Sequence, residues 1–222
     1  MFRSILFKEF IKLRAYWLSA LLFNLCMAAY ILVAMRKLFL LDHAEIVWYR
    51  VIHLGQTFYD PFMYVPVITG LFMAAAQFFP EMKSQRFRIS LHLPLAPHLI
   101  VLGHVLVGLA AVMVILCLDL LALTMMTSVY FPAEVVARTF YTTLPWALAG
   151  LTAYLGATLV LLEPGWRLRA LNAVVSAGVT GLFLWQGMPG AYSQVLPLLM
   201  VLVLFFTPSV LLPAYRFRYR KD

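Results

Sequence analysis

The sequence predicts an all-α membrane protein with six transmembrane helices, an N-terminal interfacial helix and both termini cytoplasmic. Three observations carry that prediction. Hydrophobic residues fill 64% of the 222 positions and charged residues only 12%, about half the roughly 25% typical of a soluble domain. The apolar residues gather into runs near the roughly 20 that cross a bilayer as a helix. Basic residues between the runs alternate between dense and sparse, which is the pattern of a topology signal. The net charge of +8 is spread between apolar segments, so it points to anionic lipid headgroups as partners and not to nucleic acid.

The elements follow in order along a single transmembrane domain, residues 1–222. Residues 1–14 place Phe2, Ile5, Leu6, Phe10, Leu13 and, just beyond, Trp17 near one helical face. Arg3, Lys8, Glu9, Lys12 and Arg14 lie mostly elsewhere, as in a helix lying on a membrane surface. A helical lead-in to the first span is the other reading. Spans are expected at 15–35, 62–79, 99–127, 139–162, 170–187 and 195–215. The second is short and carries Pro66 and Gly70, so a re-entrant hairpin competes with a full crossing there. The third is long enough to cross with a large tilt.

The outer loop 38–61 offers Asp42 as an N-cap with Glu45 three residues on, opening a short helix over residues 46–53. Trp48, Tyr49, Phe58 and Tyr59 suit an interfacial aromatic belt. Pro164-Gly165 and Pro189-Gly190 read as turns between spans. Cys26 and Cys117 both sit in apolar runs, which argues against a disulfide framework.

Charge sets the orientation. With the N-terminus inside, the inner segments hold Arg3, Lys8, Lys12, Arg14, Lys83, Arg86 and Arg88. They also hold Arg167, Arg169, Arg216, Arg218, Arg220 and Lys221, whereas the outer segments hold only Arg36, Lys37, Arg50 and Arg138. The first residues do not read as a cleavable signal peptide. The chain is expected as a multi-pass protein of the plasma (bacterial inner) membrane.

Chemistry is sparse. There is no phosphate-binding glycine loop, no His-Glu-x-x-His and no Gly-x-Ser-x-Gly, so no catalytic residue and no cofactor is expected on this chain. His92, His98 and His104 recur every six residues, which is not a metal-sharing helical spacing; they read as interfacial side chains. No cluster of polar side chains at one depth, as a membrane enzyme needs, is visible. Asp119 stands alone inside the third span, about 22 Å along the helix from His104 at ~1.5 Å per residue. An intramembrane acid by default marks a function; a structural hydrogen bond to Asn172 or Thr180, or a silent protonated acid, is the alternative.

The densest charge lies after the second span, in "EMKSQRFRISLHLPLAPH", and topology alone accounts for its basic residues. Beyond that, Glu81 follows the span, and Phe87, Ile89, Leu91, Leu93 and Leu95 alternate with Arg86, Arg88, Ser90 and His92. Pro94 breaks the chain, and Pro97 suits the first turn of the next helix. Glu81, the Leu-His-Leu-Pro sequence with Leu91, Leu93 and Pro94, and Gly103-His104 resemble a cytoplasmic element found in the permease subunits of type-2 ATP-binding-cassette exporters. His104 stands where that family usually has Lys. Gln85-Arg86 replaces the family's Gly-Thr or similarly small pair. The six-span layout extends the resemblance over nearly the whole chain.

The resemblance implies a non-catalytic permease whose partner, a cytoplasmic ATP-binding subunit, carries ATP and Mg. A second permease chain would complete the pathway as a homo- or heterodimer. The ATPase would press on the coupling element, residues 80–98 and chiefly 80–95. Glu81 with Arg86 or Arg88 would supply the polar contacts, while Leu91, Leu93 and Pro94 would fix its shape. The apolar spans favour an amphipathic or lipid-like cargo moved outward. The alternatives are a non-transporting assembly or sensing partner of an ATPase, and a secondary transporter using Asp119. Small residues at Gly108, Ala110, Ala111 and at Gly150, Ala153, Gly156 fit close helix packing, within one chain or between two.

Overall fold

A computed structural model describes residues 2–83, 96–185 and 188–219, and the regular elements among them are all helical. In chain order they are α1 (Phe2–Leu41), α2 (Ala44–Ile52), α3 (Val65–Lys83) and α4 (Pro97–Tyr130). Then come α5 (Ala133–Leu162), α6 (Trp166–Leu184), α7 (Leu196–Ser209) and α8 (Leu211–Tyr219), with a single 3-10 turn at Asp60–Phe62 before α3. Five segments among the described residues are long and apolar enough to cross a membrane. They are Leu6–Leu41, Asp60–Met82, His98–Tyr130, Ala133–Leu162 and Leu196–Arg216. The expected span at 170–187 corresponds to α6, which has 19 residues. It is not among the five: Arg167, Arg169, Asn172, Ser176 and Thr180 dilute its apolar content.

Residues 2–41 form one uninterrupted helix of 40 residues, about 60 Å long at ~1.5 Å per residue. That exceeds the ~40–45 Å of a bilayer with its headgroups. The backbone has no break near residue 14, where an interfacial helix and a span were expected to meet. The reason is a single buried stripe, Glu9, Leu13, Ala20, Asn24, Ala28, Ile31 and Met35, at spacings of three, four and seven residues. The stripe holds α1 against the bundle from its second turn onward. Phe10, expected on the same apolar face as Leu13, is largely exposed while Leu13 is buried.

Helix α5 lies at the centre, mostly buried, with α3, α4 and α6 packed around it. Its contact with α3 is backbone on backbone. A Cβ built on Gly70 would come within 2.1 Å of the Gly150 carbonyl oxygen, and one on Gly150 within 2.6 Å of that of Pro66. Pro66 and Gly70, which weaken 62–79 as a span by sequence, thus form the face that seats α3 on α5. Gly156 makes room for a side chain instead: a Cβ there would come within 2.5 Å of the Ser176 Cβ on α6. The Gly150, Ala153, Gly156 patch therefore serves packing within the chain.

The segment at residues 38–61 is held by rings. Phe58 stacks on Phe131 at 5.3 Å, Phe39 on Tyr130 at 5.1 Å, and Tyr59 tilts onto Trp146 at 5.7 Å. Tyr59 is buried and so does not belong to an interfacial belt, whereas Trp48 and Tyr49 are exposed. Helix α2 is capped by His43, without a side-chain bond, and not by Asp42. The Asp42 carboxylate is occupied instead by Arg50, 2.7 Å away. Gly190, at φ +78°, takes the left-handed conformation that a turn after Pro189 requires. Cys26 and Cys117 are free thiols, and Pro97 opens α4 at its first turn.

The glycine contacts are directly testable. Gly150→Leu should force α3 from α5 and lower stability by about 1–3 kcal/mol or more, measured as a fall in melting temperature in detergent. Gly178→Ala and Gly181→Ala, whose added methyl meets nothing within 4 Å, should leave it unchanged or raise it slightly.

Candidate functional site

Where α1, α3, α4 and α5 meet near the start of α1, the bundle encloses a polar cluster among apolar side chains. Glu9, Gln77, Glu81, His104 and Tyr154 are all buried. The Gln77 amide nitrogen donates to Glu9 Oε2 at 2.9 Å and to the His104 carbonyl at 2.8 Å. Its oxygen accepts from the Tyr154 hydroxyl at 2.7 Å, so one glutamine joins four helices. Lys12 Nζ donates to Glu9 Oε1 at 2.8 Å and to Glu81 Oε1 at 3.1 Å. Lys8 adds a longer contact to Glu81, at 3.4 Å.

Sequence dictates this arrangement locally. Glu9 and Lys12 are three residues apart, on neighbouring faces of one helical turn. Gln77 and Glu81, four apart, share a face of α3. Gly108 provides the room: a Cβ there would lie 2.0 Å from Gln77 Oε1 and 2.1 Å from the Tyr154 hydroxyl. The small-residue patch at Gly108 therefore shelters a hydrogen bond as well as a helix contact.

His104 Nδ1 lies 2.7 Å from the Ile100 carbonyl. A carbonyl only accepts, so Nδ1 carries a proton. The opposite nitrogen, Nε2, stands 3.7 Å from Glu9 Oε1. Two carboxylates out of water cost several kcal/mol each unless paired and hydrogen-bonded, and here Lys12 and Gln77 meet that requirement. Chemically the cluster can hold four helices in fixed register and transmit a displacement of one to the others. Among the described residues no group of His, Cys, Asp and Glu is placed to hold a metal ion.

A third buried acid closes the same end of the bundle. Glu163, just past the end of α5, takes Arg216 Nη1 of α8 at 2.7 Å. Its backbone carbonyl accepts two bonds from Arg169, at 3.1 and 2.7 Å. Asn172 reaches its carboxylate at 3.4 Å. The start of α1 and the ends of α5 and α8 thus lie together, along with Lys8, Lys12, Arg14, Arg167, Arg169 and Arg216. Arg36, Lys37, Arg50 and Arg138 lie at the far ends of their helices.

The structure places Glu81 with its carboxylate turned into the chain toward α1. Arg86, Arg88, Leu91, Leu93 and Pro94 lie outside the described residues. Asp119 is buried on α4, and its Oδ2 has no hydrogen-bond partner among the described residues. Neither proposed structural partner is beside it: Asn172 bonds Glu163, and Thr180 faces Thr152 at 3.4 Å. Outside the membrane-facing core, burial pushes the Tyr59 phenol above its ordinary range, opposed by hydrogen bonds from Thr142 and Thr139, so it stays protonated.

Sequence reading missed the cluster, finding no polar group at one depth and taking His104 for an interfacial side chain. The legible signals were Gln77 in the middle of "MAAAQFF" and Tyr154 within an otherwise apolar span. No protein-family model, curated protein or solved structure matches this chain.

Removing the shared cation tests the cluster. Lys12→Met should leave buried Glu9 without its cation and Glu81 with only the longer Lys8 contact, and cost about 3–5 kcal/mol, read by denaturant titration in detergent. Adding Glu9→Gln to that variant should recover part of the loss, a non-additivity that marks a direct interaction.

Proposed function

We propose that this chain is the membrane-spanning permease subunit of an ATP-binding-cassette exporter, driven by a separate cytoplasmic ATPase acting on residues 80–95. In this reading α6 completes six spans, both termini face the cytoplasm of a bacterial inner membrane, and two permease chains form the pathway. The observation that supports it most is the position of Glu81. Glu81, which opens the family-like element, is buried and is clamped by Lys12 and Lys8 of α1. A push on the segment after α3 therefore reaches α1 through an ion pair, and α4 and α5 through Gln77. The gathering of basic residues at this end supports its cytoplasmic orientation. An amphipathic or lipid-like cargo suits spans with so few polar side chains.

Coupling requires that the ATPase bind the element differently in its two states. A stand-alone ATPase should be encoded beside this chain and co-purify with it, and Arg86→Glu with Arg88→Glu should abolish that co-purification. Glu81→Gln should preserve co-purification but cut lipid-stimulated ATP hydrolysis about tenfold, within the ~1–3 kcal/mol of typical site-to-site coupling. If neither the intact chain nor the arginine variant affects ATPase association, the coupling role is wrong.

A secondary transporter using Asp119 is favoured by one observation, the unpartnered buried carboxylate oxygen. Asp119→Asn should abolish transport at unchanged abundance if that acid acts on cargo or protons. Unchanged transport would remove it from the site.

A further inference from the structure

An apolar groove of about 650 Å³ runs along the outside of the bundle between α1 and α4. Its shape follows from side-chain length. On α1 the wall extends from Leu6 to Leu18 and includes Phe10 and Trp17. On α4 the floor is Val107, Ala110, Ala111 and Val114, all short. Trp17 Nε1 donates to the Ala111 carbonyl at 2.9 Å, which ties the two helices together and leaves a trough beside the indole. The volume falls within the about 300–1,000 Å³ of pockets that enclose small ligands.

One wall residue is charged. Arg14 lines the groove and is exposed, and among the described residues it makes no ion pair. Neighbouring Lys8 and Lys12 are engaged with Glu81 and Glu9. Side chains on a helix lean toward its N-terminus, so the guanidinium points toward the basic end, where headgroups would lie. From Arg14 the wall continues about 6 Å to Leu18 at ~1.5 Å per residue, so below a phosphate held there it receives the first part of an acyl chain.

We propose that this groove is a binding site for one anionic phospholipid of the leaflet at the basic end. An acyl chain lies over Ala110 and Ala111, and the phosphate is held by Arg14. A helix from a second copy of the chain is the competing occupant. An apolar helix laid there would bury the Arg14 charge without a partner, which is costly. A lipid phosphate instead supplies the counter-charge, and two oxygens match the guanidinium fork. The site does not depend on whether the chain is a permease, because its argument uses only the bundle and a bilayer.

The test is native mass spectrometry of the detergent-purified full chain. The protein is equilibrated with equal amounts of phosphatidylglycerol and phosphatidylcholine. One phosphatidylglycerol per chain should be retained in preference to phosphatidylcholine. Arg14→Ala should reduce that retention about fivefold, the factor expected for one basic residue at an anionic surface. Arg14→Lys, which keeps the charge but loses the fork, should retain an amount between that of the unaltered chain and that of Arg14→Ala. Ala110→Phe, which fills the trough from an exposed position, should abolish it without lowering the melting temperature in lipid-free detergent. Equal retention of both lipids, or full retention by Ala110→Phe, would overturn the proposal. So would a Phe10→Cys disulfide linking two chains in a background free of Cys26 and Cys117, since it would place a second copy in the groove.

Discussion

Lys12 stands between two carboxylates, one from its own helix and one from α3, and the bundle's organisation at that end depends on this bridge. Without it, Glu9 would be an uncompensated charge among apolar side chains, and α1 would have reason to leave the bundle for the membrane surface. With it, the first turns of α1 become part of the core. Gln77 extends the same constraint to α4 and α5, because its amide can satisfy Glu9, the His104 carbonyl and Tyr154 only when all four helices are in register. Hydrogen-bond geometry at one end thus sets an alignment that apolar contact alone, being non-directional, would leave loose.

Elsewhere the order comes from close approach. Gly70 and Gly150 bring two backbones together, and in a lipid environment this kind of contact substitutes for the missing hydrophobic drive between helices. The aromatic rings from Phe39 to Trp146 then close the opposite end over the loop residues. The chain therefore has a polar clamp at one end, a glycine seam in the middle and a ring stack at the other. Each confines a different freedom: register, separation and tilt.

How much was legible follows from where each signal lies. Five of the apolar runs were readable because bilayer thickness imposes a length on them, and length survives in a single sequence. The continuity of α1 was not readable. Lys8, Glu9, Lys12 and Arg14 look alike as charges near a membrane, and only the partners on α3 and α4 separate the inward-facing ones from Arg14. Pro66 and Gly70 looked like defects in a span because their use lies on another helix, at Gly150. Asp119 was identified correctly as a buried acid. The partners suggested for it were wrong because depth along a helix says nothing of the face it presents. Glu81 was singled out through the residues around it, but the direction of its carboxylate depends on two lysines about seventy positions away.

The unbroken length of α1 has a mechanical consequence. A helix without a proline, a glycine pair or a bulge has none of the usual causes of a sharp kink, so it moves as a rod. Asn24, buried midway and bonded to Thr69 at 2.8 Å, is a natural fulcrum. Tilting a rod of about 60 Å by ~5° around its middle carries each tip about 2.6 Å in opposite directions. Any lateral displacement of the Glu9–Lys12 end is thus delivered, reversed in sign and mostly preserved, to Met35 and the ring stack at the other end of the bundle.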